Sequence, residues 1–190
     1  MWPFKVHVER QPLDLEQVSI HPLDGTCVLN RFECGKAPLD KYLKNTAKGH
    51  AKRLERRVYA ATLEGSPNCI GYYALQLGSD AVPETYKKNR QDYIQNYSAF
   101  PAVHLSHLAV HQACQRQGLG THLLMDVFEK VAAISRYAGF YALTLQSYDE
   151  SSTAFYRSIQ FEQYSEGGGQ PKMLYPLVNI LKLLDTVKTQ

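Results

Sequence analysis

At 190 residues the chain is long enough for one domain with a substantial core and too short for two comfortable ones. Its 44% hydrophobic and 21% charged content is that of an ordinary globular protein, and a net charge of +3 permits an anionic partner without demanding one. The scattered cysteines Cys27, Cys34, Cys69 and Cys114 form no C-x-x-C pair, no apolar run reaches the roughly 18 residues a bilayer span needs, and Met1-Trp2-Pro3-Phe4-Lys5 lacks a secretory pattern, so a cytoplasmic protein with free thiols is expected.

The stretch up to about Arg31, rich in proline and charge, gives no clear periodicity. Pro38 opens a helix, with Leu39, Tyr42, Leu43, Ala47 and Ala51 following at helical spacing. Lys41, Lys44, Lys48, Lys52 and Arg56 step by three or four along it, and Arg53 and Arg57 widen the stripe. On one continuous helix these cations share a face, which reads either as a footprint for a phosphate backbone or as a solvated surface; Gly49 in mid-stripe is a candidate break. Val58–Leu63 and Cys69–Leu77, rich in β-branched and aromatic residues, flank the turn Glu64-Gly65-Ser66-Pro67-Asn68 and read as a β-hairpin. Ser79 to Ala99 is polar and reads as a loop with a short helix.

Val103–Val110 is a strand in which the apolar phase changes: Val103 and Leu105 share one, Leu108 and Val110 the other. Either a β-bulge lies near Ser106-His107, or the strand begins at Leu108. A glycine-containing turn, Gln115–Gly120, follows. Leu119, Leu123, Leu124, Val127, Phe128, Val131 and Ile134 then recur as the apolar face of a helix, with Gly139 as its C-terminal cap. Phe140–Gln146 is a strand, Glu150–Ile159 a helix, and Phe161–Tyr164 and Met173–Leu177 are terminal strands around the loop Gly167-Gly168-Gly169. Strand, helix, strand with this spacing predicts a right-handed parallel crossover and an α/β or α+β fold with a mixed sheet, in one domain over residues 1–190.

The chemistry concentrates at Gln115-Arg116-Gln117-Gly118-Leu119-Gly120-Thr121. Glycines between a strand and a helix N-terminus let main-chain N–H groups converge where the helix adds free donors and partial positive charge, which makes a pyrophosphate cradle; a bare connecting turn is the plainer alternative. A nicotinamide-binding turn is a poor reading, because Leu123 stands at the third glycine of G-x-G-x-x-G and no acidic residue lies about twenty positions on. His104, His107 and His111 do not share a strand face and no carboxylate or cysteine completes a set, so no metal site is expected.

Leu108-Ala109-Val110 followed by Gln115-x-x-Gly118-x-Gly120 resembles the cofactor signature of the GNAT acetyltransferases, and Ala154-Phe155-Tyr156 resembles their later F-Y-x-x-x-G-F segment, with Gln160 where glycine is usual. The resemblance covers roughly Val103 to Phe161. It implies a GNAT fold, a mixed central sheet splayed at a bulge with helices on both faces, and an acetyl-CoA cofactor. Leu108, Ala109 and Val110 would hold its pantetheine and the amides of Gln117, Gly118, Leu119, Gly120 and Thr121 its pyrophosphate, with Gln115 and Arg116 also in the cofactor site. It further implies direct attack by a neutral amine, with Tyr156 protonating the leaving thiolate; Tyr156 as a packing residue is the alternative. No carboxylate stands out as a general base; His104 and His107 are the nearest titratable groups, and a missing base favours an α-amine over a lysine.

The N-terminal half, Phe32-x-Cys34-Gly35-x-x-x-Leu39-Asp40-x-Tyr42-Leu43 with Gly71-Tyr72-Tyr73-Ala74-Leu75, resembles the toxin branch that acetylates aminoacyl-tRNA; His107 replaces that branch's arginine. The resemblance implies an aminoacyl-tRNA acceptor met by Lys41, Lys44, Lys48, Lys52, Arg53 and Arg56, a ribbon-helix-helix antitoxin, and a homodimer among the assemblies to test. A small-molecule or protein amine, or a non-catalytic CoA- or RNA-binding module, stays open as an alternative.

Overall fold

The computed structural model describes residues 12–88, 93–167 and 169–189. The expected hairpin forms from β2 (Arg57–Leu63) and β3 (Gly71–Ala81), and before it β1 (Val18–Pro22) pairs antiparallel with β2. β3 runs well past the anticipated Leu77, so the polar segment after Ser79 is strand to Ala81 before the short helix α3 (Glu84–Lys87). Ser79 Oγ donates to the Phe100 carbonyl at 3.1 Å, which helps a polar sequence hold its place in the sheet.

β4 (Ala99–Val110), α4 (Leu119–Ser135) and β5 (Ala142–Gln146) make the expected parallel crossover. α5 (Glu150–Ser158), β6 (Glu162–Gly167), β7 (Gln170–Pro176) and α6 (Leu177–Lys188) complete the described chain. The strands form a seven-stranded mixed sheet in the order β1-β2-β3-β4-β5-β7-β6. One face packs Tyr73, Leu75, Val103, Leu105, Leu143 and Met173 against Leu123, Leu124, Val127 and Phe128 of α4 and Ile180 and Leu184 of α6. The other packs Val58, Ala60, Tyr72 and Ala74 against Tyr42, Leu43 and Ala47 of α1 (Ala37–Asn45) and α2 (Ala47–Lys52).

The phase change in β4 is a bulge. Ala74 pairs with His107 and Leu75 with Leu105, which leaves Ser106 unpaired, its hydroxyl donating to the Ala74 carbonyl at 3.2 Å. The extra residue keeps Leu108 and Val110 on the α4 face and turns His107 and Ala109 to the α1 face.

Three expectations are corrected. The basic stripe does not lie on one helix: the chain breaks at Thr46 (φ −121°, ψ −37°) between α1 and α2, and Arg53 and Arg56 fall beyond Lys52. Leu43 and Ala47, on either side of the break, are both buried against the sheet, and Gly49 lies inside α2 rather than ending it. Gly139 does not cap α4, which ends at Ser135 with right-handed Arg136 as its cap. Leu177 is not strand: Pro176 closes β7, and Leu177 starts α6, whose Ile180 and Leu184 are buried.

Candidate active site

β4 and β5 pair only over Ala102–His104 and Ala142–Thr144; beyond that rung the strands part, and the bulge at Ser106 stands where the gap opens. The His111 N–H donates to the Ile70 carbonyl across β3, so by antiparallel alternation Val110 and Leu108 turn their N–H and C=O groups away from β3 and toward the gap. The splayed strands therefore present a short main-chain edge at Leu108 and Val110 that no neighbouring strand pairs.

The glycine turn is fastened from outside. Gln115 Nε2 donates to the carbonyls of Cys34 and Val110, each at 2.9 Å, and the Gln112 N–H donates to the Glu33 carbonyl at 2.8 Å. The Gln117 side chain accepts from the Leu13 N–H and donates to the Ala113 carbonyl, each at 2.8 Å. Gln115 and Gln117 thus shape the turn with their side chains, and what they leave for a ligand is main chain. The Phe32–Leu43 motif supplies the buttress: Phe32 and Leu43 are fully buried, Asp40 Oδ1 accepts from the Cys34 N–H at 2.9 Å, and burial with Asp40 nearby pushes the Cys34 thiol up to about 11, leaving it unreactive.

Arg116 (φ 61°) and Gly118 (φ 84°) are both left-handed, and this alternation curls the chain around its own N–H groups. α4 then begins with no side-chain cap and no acidic residue in its first turn. Among the described residues, the N–H groups of Gly118, Leu119, Gly120 and Thr121 meet no acceptor. Leu119 is buried in the core, whereas Arg116 and Thr121 are exposed beside the turn. A β-carbon on Gly120 would lie 3.5 Å from the Phe155 ring and 4.0 Å from Val110, so α4 starts against β4 and α5. Converging free donors at a helix N-terminus, with an arginine alongside, fit a diphosphate.

Tyr156 lies on α5, its ring against Phe155 and Phe161, and burial pushes its phenol well above the usual tyrosine range, so it keeps its proton at any physiological pH. Gln160 takes the left-handed conformation (φ 70°) that the glycine of the resembled motif would adopt freely, at a cost of about 1 kcal/mol.

On the α1 face, the His107 ring stacks on Tyr42 at 3.5 Å between centroids, and the Arg56 guanidinium lies 5.4 Å from the Tyr42 ring while donating to Gln76 Oε1 at 2.7 Å. Burial, with Arg56 and His50 nearby, pushes the His107 imidazole down to about 4. Arg53 pairs with Glu55. Of the six cations expected to meet the acceptor, the structure thus leaves Lys41, Lys44, Lys48 and Lys52 without an ion-pair partner among the described residues, and takes Arg53 and Arg56 into local contacts. Lys48, Lys52 and Arg57 border a groove of about 570 Å³.

The sequence pattern missed a polar cluster. Asp80 Oδ2 accepts from Thr144 Oγ1 at 2.9 Å and lies 2.9 Å from His104 Nε2, while Lys172 Nζ is 3.5 Å from Oδ1. Burial works against this charge, but His104, Thr144 and Lys172 outweigh it and hold the Asp80 carboxyl well below the usual range.

An acetyltransferase (GNAT) domain model matches residues 55–163. A probable toxin TacT of Sinorhizobium fredii is 28% identical over 80% of this chain and 87% of its own. A tRNA-acetylating toxin of Mycobacterium tuberculosis is 30% identical over 69% of this chain and 76% of its own. A structure of a tyrosine-to-phenylalanine variant of the toxin AtaT, bound to the C-terminus of the antitoxin AtaR, shares the fold with a TM-score of 0.73 and 23% identity over 88% of this chain and 98% of that one. With the domain match, the splayed β4–β5 pair and the glycine turn at the head of α4, the chain belongs to the GNAT acetyltransferase family.

Proposed function

We propose that this acetyltransferase transfers the acetyl group of acetyl-CoA to the α-amine of aminoacyl-tRNA, and that it acts in the cytoplasm as the toxin of a toxin–antitoxin pair. The observation that carries the reading is the position of Lys41, Lys44, Lys48 and Lys52. They are unpaired among the described residues, and their helices cover the sheet face toward which the bulge turns His107. Four free cations beside a transfer site suit a phosphate backbone, and the M. tuberculosis relative is a tRNA-acetylating toxin. An antitoxin partner, which AtaT has in AtaR, is expected here too.

Bound acetyl-CoA supplies an activated acyl carbonyl. The N–H groups of Gly118 to Thr121, with Arg116 alongside, would take its diphosphate, and the main-chain edge of Leu108 and Val110 its pantetheine. An N–H at Leu108, aimed into the gap, is the donor for the carbonyl oxygen. Tyr156 Oη holds the proton that the leaving sulfur needs. An α-amine, whose reference pKa is about 7.7–8.0, is substantially neutral near pH 8, which suits direct attack.

Mass spectrometry of a charged tRNA pool incubated with the protein and acetyl-CoA tests the reading. Acetylated α-amines on aminoacyl-adenosine support it; an unmodified pool beside acetylated polyamines or peptides assigns the enzyme to another amine.

A further inference from the structure

The transfer also has to dispose of a proton. When the amine nitrogen forms its bond to the acyl carbon it gains positive charge, and that proton must leave as the carbon–sulfur bond breaks and the sulfur takes a proton elsewhere. We propose that His104, with Asp80 as its counter-charge, receives the proton from the attacking amine, directly or through one water; this rests on the acetyltransferase reading above.

His104 occupies the last paired rung of β4 and β5, opposite Thr144 and two residues before the bulge, so it stands at the head of the gap. Its side chain is 22% exposed and leans over Gly78, where a β-carbon would come within 2.4 Å of Cε1; only glycine leaves that space. Nε2 lies 2.9 Å from Asp80 Oδ2 yet is off the line of a hydrogen bond and has no other acceptor. The Asp80 carboxylate thus faces this nitrogen and supplies the counter-charge for a ring that takes up the amine's proton. Nδ1 has no hydrogen-bond partner among the described residues and is available to the amine.

Asp80 is fit for the part because it stays ionised. It gathers Thr144 from β5, Lys172 from β7 and His104 from β4, and Tyr164 of β6 also faces it. His107, the other histidine near the gap, is unsuited: burial opposes its charged form, and its ring is held flat on Tyr42.

The balance of the step is then complete. The nitrogen–carbon bond forms and the nitrogen's proton passes to His104 Nδ1; the carbon–sulfur bond breaks and the sulfur takes the proton of Tyr156 Oη. Solvent afterwards resets both groups.

Three variants test the assignment. Asp80→Asn should lower kcat at least tenfold, and coenzyme A affinity by calorimetry should match the unmodified protein in both Asp80→Asn and His104→Gln. In transfer assays, His104→Gln should lower kcat by about 10²-fold and remove the acid limb of the kcat/KM profile, and added imidazole should restore part of the rate of His104→Ala. An Asp80→Asn enzyme at the original rate, or a His104→Gln enzyme within threefold of it with the same pH profile, overturns the proposal while leaving the acetyltransferase reading intact. If the unmodified protein acetylates no amine, both fall together.

Discussion

Replacing Gly118 by alanine separates the cradle from an ordinary turn. Gly118 sits at φ 84° and ψ −12°, where a β-carbon costs about 1–2 kcal/mol. That β-carbon would meet only the end of the Leu15 side chain, at 3.2 Å, so crowding adds little. In a chain of this size the strain should lower Tm by about 2–8 °C, which scanning calorimetry resolves without loss of fold. The larger effect should fall on the cofactor. If relaxing the backbone misaims one or two N–H groups, each worth about 1.5–3 kcal/mol against a charged acceptor, coenzyme A affinity drops by roughly 10- to 10⁴-fold. Gly120→Ala is the internal control: its φ is not left-handed and its β-carbon would make ordinary 3.5 Å contact with Phe155, so affinity should hardly change. A Gly118→Ala protein with unchanged Tm and unchanged affinity would refute the reasoning.

Other consequences follow from the same geometry. Tyr156→Phe should cut kcat by about 10²- to 10⁴-fold and leave coenzyme A affinity intact; equal rates would reduce Tyr156 to a packing residue. Charge reversal of Lys41, Lys44, Lys48 and Lys52 should weaken tRNA binding and flatten its salt dependence while sparing coenzyme A, as filter binding across a salt series would show. Asp80 has a depressed folded-state pKa, so its contribution to stability is present above its unfolded value of about 3.9 and is lost as pH falls below it. The unmodified protein should therefore exceed Asp80→Asn by about 1–2 kcal/mol in urea melts at pH 7, allowing for screening, and the difference should close below about pH 4.

What could be read from sequence was whatever is local. The cofactor turn announces itself because glycine spacing and the apolar period of α4 meet within a few residues. The bulge is legible because one extra residue reverses the alternation between Leu105 and Leu108. The Asp80 cluster was hidden because its members lie on four strands, at 80, 104, 144 and 172, and only the register brings them together. The break at Thr46 was equally hidden: Leu43 and Ala47 keep helical spacing across it and are both buried, so the apolar pattern shows no interruption. The helix after Pro176 carries a readable signal in Ile180 and Leu184, four residues apart, and the strand expected over Met173–Leu177 overlaps it only at Leu177.

The main-chain amides at the head of α4 are the feature on which every later step depends. Calorimetric titration with coenzyme A and, separately, with pantetheine, which lacks the diphosphate, measures their role directly. The expected result is saturable one-to-one binding of coenzyme A and at least tenfold weaker binding of pantetheine. No heat with coenzyme A, or equal affinity for the two, would contradict the account.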